Sequence, residues 1–219
     1  ELLLDHWGTH PAAALRSGGL GVRELKATAA FLHVDERSAA LLVECASTAG
    51  LLASRADPDG NPVWVPTDVF DTWLAKDVSE RWSIVARSWL ASPRMPGLVG
   101  TRDAAGKPWN VLTPELAART MPETRLMTLQ VLAGVEPGSV LASGTGLPSL
   151  VAHLTWLRPR RPRSRHEQVA WTVEEAAALG VTGLGGVATY ARLLLAGDDL
   201  HDSLAALLPE PVDHVLIQA

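Results

Sequence analysis

The sequence holds a single cysteine, Cys45, so no intramolecular disulfide framework can brace it, and a reducing compartment is its natural setting. No apolar run reaches the roughly 18 residues of a bilayer-spanning helix. No basic segment followed by an apolar stretch opens the chain as a secretory leader would. These absences lead to the expectation of a soluble, cytoplasmic protein without membrane contact. Lysine is scarce as well, with three lysines against sixteen arginines, and the formal net charge is −5. Residues 1–75 carry ten acids against five bases, residues 76–150 six against eight, and residues 151–219 eight against six. No third of the chain has the strongly basic balance of a dedicated nucleic-acid binder, which argues against tight nonspecific DNA binding.

Catalytic signatures are also missing. The nearest approach to a phosphate-cradling loop is Gly100-Thr101-Arg102-Asp103-Ala104-Ala105-Gly106-Lys107-Pro108, where the spacing is one residue too long and Pro108 stands where a magnesium-holding hydroxyl is needed. A surface turn is the better reading. Ser143-Gly144-Thr145-Gly146 lacks the preceding strand of a nucleotide loop and reads as a flexible connection. His6 and His10 have the spacing of metal ligands on one helical face but no third ligand nearby, so an incidental surface pair is expected. Cys45, among Leu41, Leu42 and Ala49, reads as a small buried hydrophobe and not a nucleophile. The sequence therefore predicts no catalytic residue, no metal and no cofactor.

What is present is helical periodicity. Leu2–Arg16 reads as an opening helix ended by Gly18-Gly19, with Pro11 as a possible interruption. Val22, Leu25, Ala29 and Leu32 form an apolar stripe at steps of three and four, and Ala39, Leu42, Val43 and Ala46 form another on a helix that Asp35 can cap. Two helices joined this closely suggest a helix-turn-helix. Asp57-Pro58-Asp59-Gly60-Asn61 then reverses the chain between two short apolar stretches, as in a β-hairpin wing. Thr67 or Asp68 can cap a short helix, and Ser79–Ala91 places Trp82, Val85, Ala86 and Trp89 on a buried side. Residues 93–146 read as a connection with one good helix at Pro122–Leu132 and a turn at Asp103–Gly106. Helices at Leu147–Leu157 and His166–Leu179, a very short hairpin around Gly183–Gly186, and a helix at Tyr190–Ala196 repeat the earlier order. The predicted fold is mainly α, with tandem winged-helix modules, each a helix-turn-helix plus a short β-hairpin, joined by a helical and loop connection. The modules fall at 1–92 and 147–208, and residues 209–219 form an alternating strand of a following, truncated domain.

Candidate contact residues follow from this plan. Arg158, Arg160, Arg161, Arg163 and Arg165 fall within eight residues, just before the helix that a second module would use for recognition. They can neutralise phosphates, or simply form a solvated loop. In the first module the recognition helix begins Asp35-Glu36 and carries Glu44, which would repel phosphate, leaving Arg37, Ser38 and the wing residues Arg55 and Asn61 as helpers. Trp73, Trp82 and Trp89 recur at core spacing, whereas Trp64 on the wing and Trp109 in the connection are candidates for a protein contact surface, with Glu36 beside them.

Gly18-Gly19-Leu20-Gly21-Val22-Arg23-Glu24-Leu25-Lys26, Ala49-Gly50-Leu51-Leu52 and the closing Leu207–Ala219 stretch resemble the actinobacterial helicase-associated proteins, which share a region with the N-terminal, non-motor part of XPB-type DNA helicases. The resemblance implies a non-catalytic accessory role in a DNA repair or helicase setting, in a longer protein whose XPB-like domain begins near Pro211. It assigns no catalytic residue, and motor activity is not inherited with the name. Two functions are expected from the whole: weak DNA contact through the arginine run, or a protein-interaction scaffold that docks a helicase or repair partner.

Overall fold

In the computed structural model, residues 1–136, 138–162 and 165–208 are described, and the protein is mainly helical with a small antiparallel sheet. The strand expected over 209–219 lies outside the described residues, as does Arg163. The first helix, α1 (Leu2–Thr9), stops well short of Arg16. Pro11 is the physical reason: it offers no N–H to a preceding carbonyl and disfavours helical geometry in the residue before it. The chain instead enters strand β1 (Ala12–Ala13), and Gly18 and Gly19 serve as positive-φ turn residues rather than as a helix terminus.

Helices α2 (Val22–Leu32) and α3 (Glu36–Thr48) follow. Between them His33 takes the left-handed conformation, with its N–H and that of Val34 closing onto Ala30 and Ala29 carbonyls. Asp35 caps α3 as expected, accepting from the Ser38 backbone N–H at 2.8 Å. These bonds hold the Asp35 carboxyl below its ordinary range. Strands β2 (Leu52–Ala56) and β3 (Pro62–Pro66) form the expected hairpin, and Asp57 Oδ1 accepts from the backbone N–H groups of Asp59 and Asn61 in its turn. Strand β1 joins the outer edge of β3, giving the sheet order β1-β3-β2. That third strand had no signal in the sequence, because two alanines after a proline carry no alternation to read.

Helix α4 (Asp68–Leu74) packs into the first core, whereas α5 (Val78–Ala91), expected in the first module, sends Ala86 and Trp89 into the second. The Thr67 hydroxyl does not cap α4; it donates to the Gly50 carbonyl at 2.6 Å and ties the helix to the end of α3. Residues 93–120 run over the first half as a strap with two short 3-10 turns, Pro96–Leu98 and Pro114–Leu116. Val111 bridges Leu20, and both lie in one core with Trp7, Val43 and Leu116. Each such fully buried aliphatic side chain contributes about 1.5–3 kcal/mol, so the strap is fixed despite its proline- and glycine-rich composition.

The second core gathers helices α6 (Met121–Ala133), α7 (Gly146–Leu157) and α8 (Arg165–Ala178) with α9 (Thr189–Ala196) and α10 (His201–Ala205). A two-stranded ribbon of β4 (Thr182–Gly183) and β5 (Gly186–Val187) separates α8 from α9. Leu184 and Gly185 at its tip both have positive φ, the geometry of a tight twisted hairpin. Residues Ser139–Leu141 pass so close to the ribbon that a side chain on Gly186 would stand 2.7 Å from the Ser139 carbonyl oxygen. The region expected as a connection, 93–146, is thus divided between the two cores.

Helix α3 is enclosed on both sides. Ala39, Val43 and Ala46 face the first core, whereas Leu41 and Cys45 belong to the second. Leu42, expected on the buried stripe, is instead 40 % exposed. Cys45 is buried as expected, and burial is the main cause that pushes its thiol pKa up to about 12. We predict that Cys45 resists thiol reagents at neutral pH in the native protein and reacts only as the chain unfolds, since the thiolate is the reactive form. Rapid labelling of folded protein would contradict the enclosure of α3.

A candidate nucleic-acid interface at the α7–α8 link

The arginine-rich link leaves α7 where Arg158 closes the helix, its N–H bonding the Leu154 carbonyl. Arg158 and Arg160 are exposed, and neither has a carboxylate partner among the described residues. Arg161 and Arg165 behave differently. Both ion-pair with Glu123 of α6, and their side chains are only 19 % and 18 % exposed. Desolvation holds the Arg161 guanidinium below its ordinary pKa, against the opposing pull of Glu123. The structure therefore divides the run: Arg161 and Arg165 bind the link down, and Arg158 and Arg160 remain exposed to solvent.

A shallow depression of about 30 Å³ lies behind the link between α6, α7 and α8. Arg158, Arg161, Arg165 and His166 stand at it with Met127 and Leu154. The Thr155 hydroxyl lies 2.7 Å from the Val151 carbonyl and 3.2 Å from His166 Nε2, fastening the end of α7 to the start of α8.

Most of the candidates on the first half are engaged elsewhere, Arg55 being the exception. Arg37 reaches Glu174 of α8 at 3.0 Å and the Gly97 carbonyl at 3.4 Å, so it bridges the halves. Exposed as both partners are, such a pair is worth about 0–1 kcal/mol. Ser38 gives both its N–H and its hydroxyl to Asp35. Asn61 donates to Asp57 within its own turn, and Arg55 is exposed on β2. Glu36 is exposed and stands 4.0 Å from Lys26. Trp64 is not a free contact residue: its indole N–H donates to the Gly19 carbonyl at 3.1 Å, and its ring packs on the first core. Trp109 packs there too. Both were expected on a surface because a wing and a loop are usually exposed, but here both rings are half-buried against the first core.

Glu44 also departs from the expectation. It was expected to present repelling charge to phosphate, yet it is 2 % exposed. Arg94 of the strap binds it through Nε at 2.6 Å and a terminal nitrogen at 2.9 Å, and the Leu112 N–H donates to it at 2.6 Å. Beside it lies a second buried pair. Arg125 is fully enclosed, and all five of its N–H donors are used: two on Glu175 Oε2, and three on the carbonyls of Trp89, Ser92 and Arg94. The Trp89 indole N–H also donates to Glu175 Oε2, at 2.7 Å. Burial pushes the Glu175 carboxyl up, while Arg125 and Trp89 pull it down. At the same seam Gly97 lies under the ring of Trp171, where an added Cβ would be 2.3 Å from the indole. This seam buries Glu44 on the inner face of α3. The outward face of α8 carries exposed Glu167 and Glu174, which repel phosphate.

Three further features complete the picture. A groove of about 690 Å³ runs between the halves, with Leu2, Leu42, Val78 and Trp82 among its largely apolar lining. The Gly100–Pro108 stretch forms a hairpin turn in which Asp103 Oδ1 accepts from the Ala105 and Lys107 N–H groups. His6 and His10 stack at 5.1 Å, with His6 also on Phe31. Among the described residues no helix is long and apolar enough to cross a membrane. Compared with family models, with curated proteins and with solved structures, the chain matches none.

Proposed function

We propose that this chain is a non-catalytic accessory region of two winged helices that touches DNA weakly, through its phosphates, in a helicase or repair setting. The winged-helix reading draws on the element order α1-β1-α2-α3-β2-β3 with sheet order β1-β3-β2. The second half supports it with α6, the Ser139–Leu141 segment that passes beside the ribbon, α7, α8 and the β4-β5 ribbon in the same succession. The helicase setting rests on the sequence resemblance alone. The observation that carries the DNA contact is the exposure of Arg158 and Arg160 without carboxylate partners among the described residues, in a stretch from Val151 to His166 that contains no acid.

Two available guanidinium groups predict weak binding and a slope of about −2 in log Kobs against log salt. Fluorescence anisotropy over a salt series tests this. Arg158→Ala with Arg160→Ala should flatten the slope, whereas Arg37→Ala and Ser38→Ala should leave it unchanged. Binding that ignores salt, or that depends on Arg37, would overturn the assignment. A second reading, docking of a helicase or repair protein, is favoured by the apolar groove. In that case Leu42→Asp should weaken the protein complex and leave the salt slope of DNA binding intact.

A further inference from the structure

The chain has eight tryptophans, and seven are buried or half-buried; Trp156 alone is exposed, at 75 %. It sits in the last turn of α7, two residues before Arg158. Its ring stacks on exposed His153 with centroids 6.0 Å apart and planes inclined by 28°. Leu150 and Leu154 bury the opposite side of the same helix, so the aromatic pair occupies the outward face. A large ring left in water without a packing partner from the rest of the fold is unusual, since burial is its normal source of stabilisation.

The chemistry around it selects the partner. Arg158 and Arg160 stand next along the chain, Arg161 and Arg165 share the single carboxylate of Glu123, and the stretch from Val151 to His166 contains no acid. An apolar protein surface would not call for this excess of cations. A polyanion that also presents flat rings would use both features. In a duplex the base faces are already stacked on one another, whereas in a single strand they are open to an aromatic side chain. We infer that the outer face of α7 and the link after it form a single-strand binding platform, on which an unpaired base stacks against Trp156 while Arg158 and Arg160 of the link hold phosphates of the same strand. This rests on the backbone-contact reading above and adds to it the class of nucleic acid.

The test uses anisotropy with a labelled short oligothymidine and a blunt hairpin duplex, on wild type, Trp156→Ala, Trp156→Phe and the Arg158→Ala/Arg160→Ala double variant. Circular dichroism and Cys45 labelling confirm that each is folded. Wild type should prefer the single strand. Trp156→Ala should weaken single-strand binding by about tenfold, as loss of one stacked base does, and leave duplex binding unchanged. Trp156→Phe should restore most of the loss, and the double arginine variant should weaken both ligands. If single strand and duplex bind alike and Trp156→Ala changes neither, the platform is refuted while the phosphate contact stands. If neither ligand binds, both readings fall. If Trp156→Ala abolishes a self-association seen by sedimentation and leaves oligonucleotide binding untouched, the face is a protein contact and the inference is overturned.

Discussion

Replacing Arg125 with methionine should cost the folded state about 3–5 kcal/mol, seen as a fall in the urea midpoint at nearly constant m value. The size follows from what is left behind. Glu175 stays 5 % exposed without its counter-charge, and the carbonyls of Trp89, Ser92 and Arg94 lose their donors together. Lysine should rescue little, because an ammonium has three donors in a different arrangement and cannot reproduce the planar fork. Removing both charges with Arg125→Met and Glu175→Leu should recover part of the loss, since an uncompensated buried carboxylate costs more than an absent pair. An Arg125→Met midpoint equal to that of wild type would mean that the seam contributes nothing.

Arg94→Ala is expected to have the next largest effect, about 2–3 kcal/mol, reduced from the full buried-pair value because the Arg94 side chain is 18 % exposed. It leaves Glu44 with the Leu112 N–H as its remaining donor and frees the strap from α3. The Arg94 carbonyl also accepts from Arg125, so the two substitutions share a partner. Their combined cost, measured by a double-mutant cycle, should differ from the sum of the single costs. Strict additivity would indicate that the Glu44 and Glu175 pairs are independent.

Local chemistry made much of the fold legible in the sequence. Asp35 before a helical stripe, Asp57-Pro58-Asp59-Gly60-Asn61 between two apolar stretches, and Asp103 four residues before Lys107 each satisfy nearby backbone groups, so neighbours in sequence suffice to read them. Other features depend on residues far along the chain. Leu41 and Leu42 are equally apolar, and only the arrival of the second core decides that Leu41 is enclosed and Leu42 exposed. Glu44 looks like a surface acid until Arg94, fifty residues away, is brought to it. The same holds at the candidate interface. The arginine run is visible as composition, but Glu123 alone separates its anchored members from Arg158 and Arg160. Trp156 gave no warning, because an outward tryptophan and a core tryptophan occupy the same helical periodicity.

The seam at Arg125 also constrains how such a chain can change by mutation. Glu44, Arg94, Arg125 and Glu175 are spread over more than half the sequence, yet Arg94 serves one pair with its side chain and the other with its backbone. A substitution at any of these charges strands its partner, so single steps away from this arrangement are penalised while some paired steps are not. Arg158, Arg160 and Trp156 stand outside that web. On the proposed platform, preference for a strand can therefore drift one residue at a time, while the seam that holds the two halves together permits change only in concert.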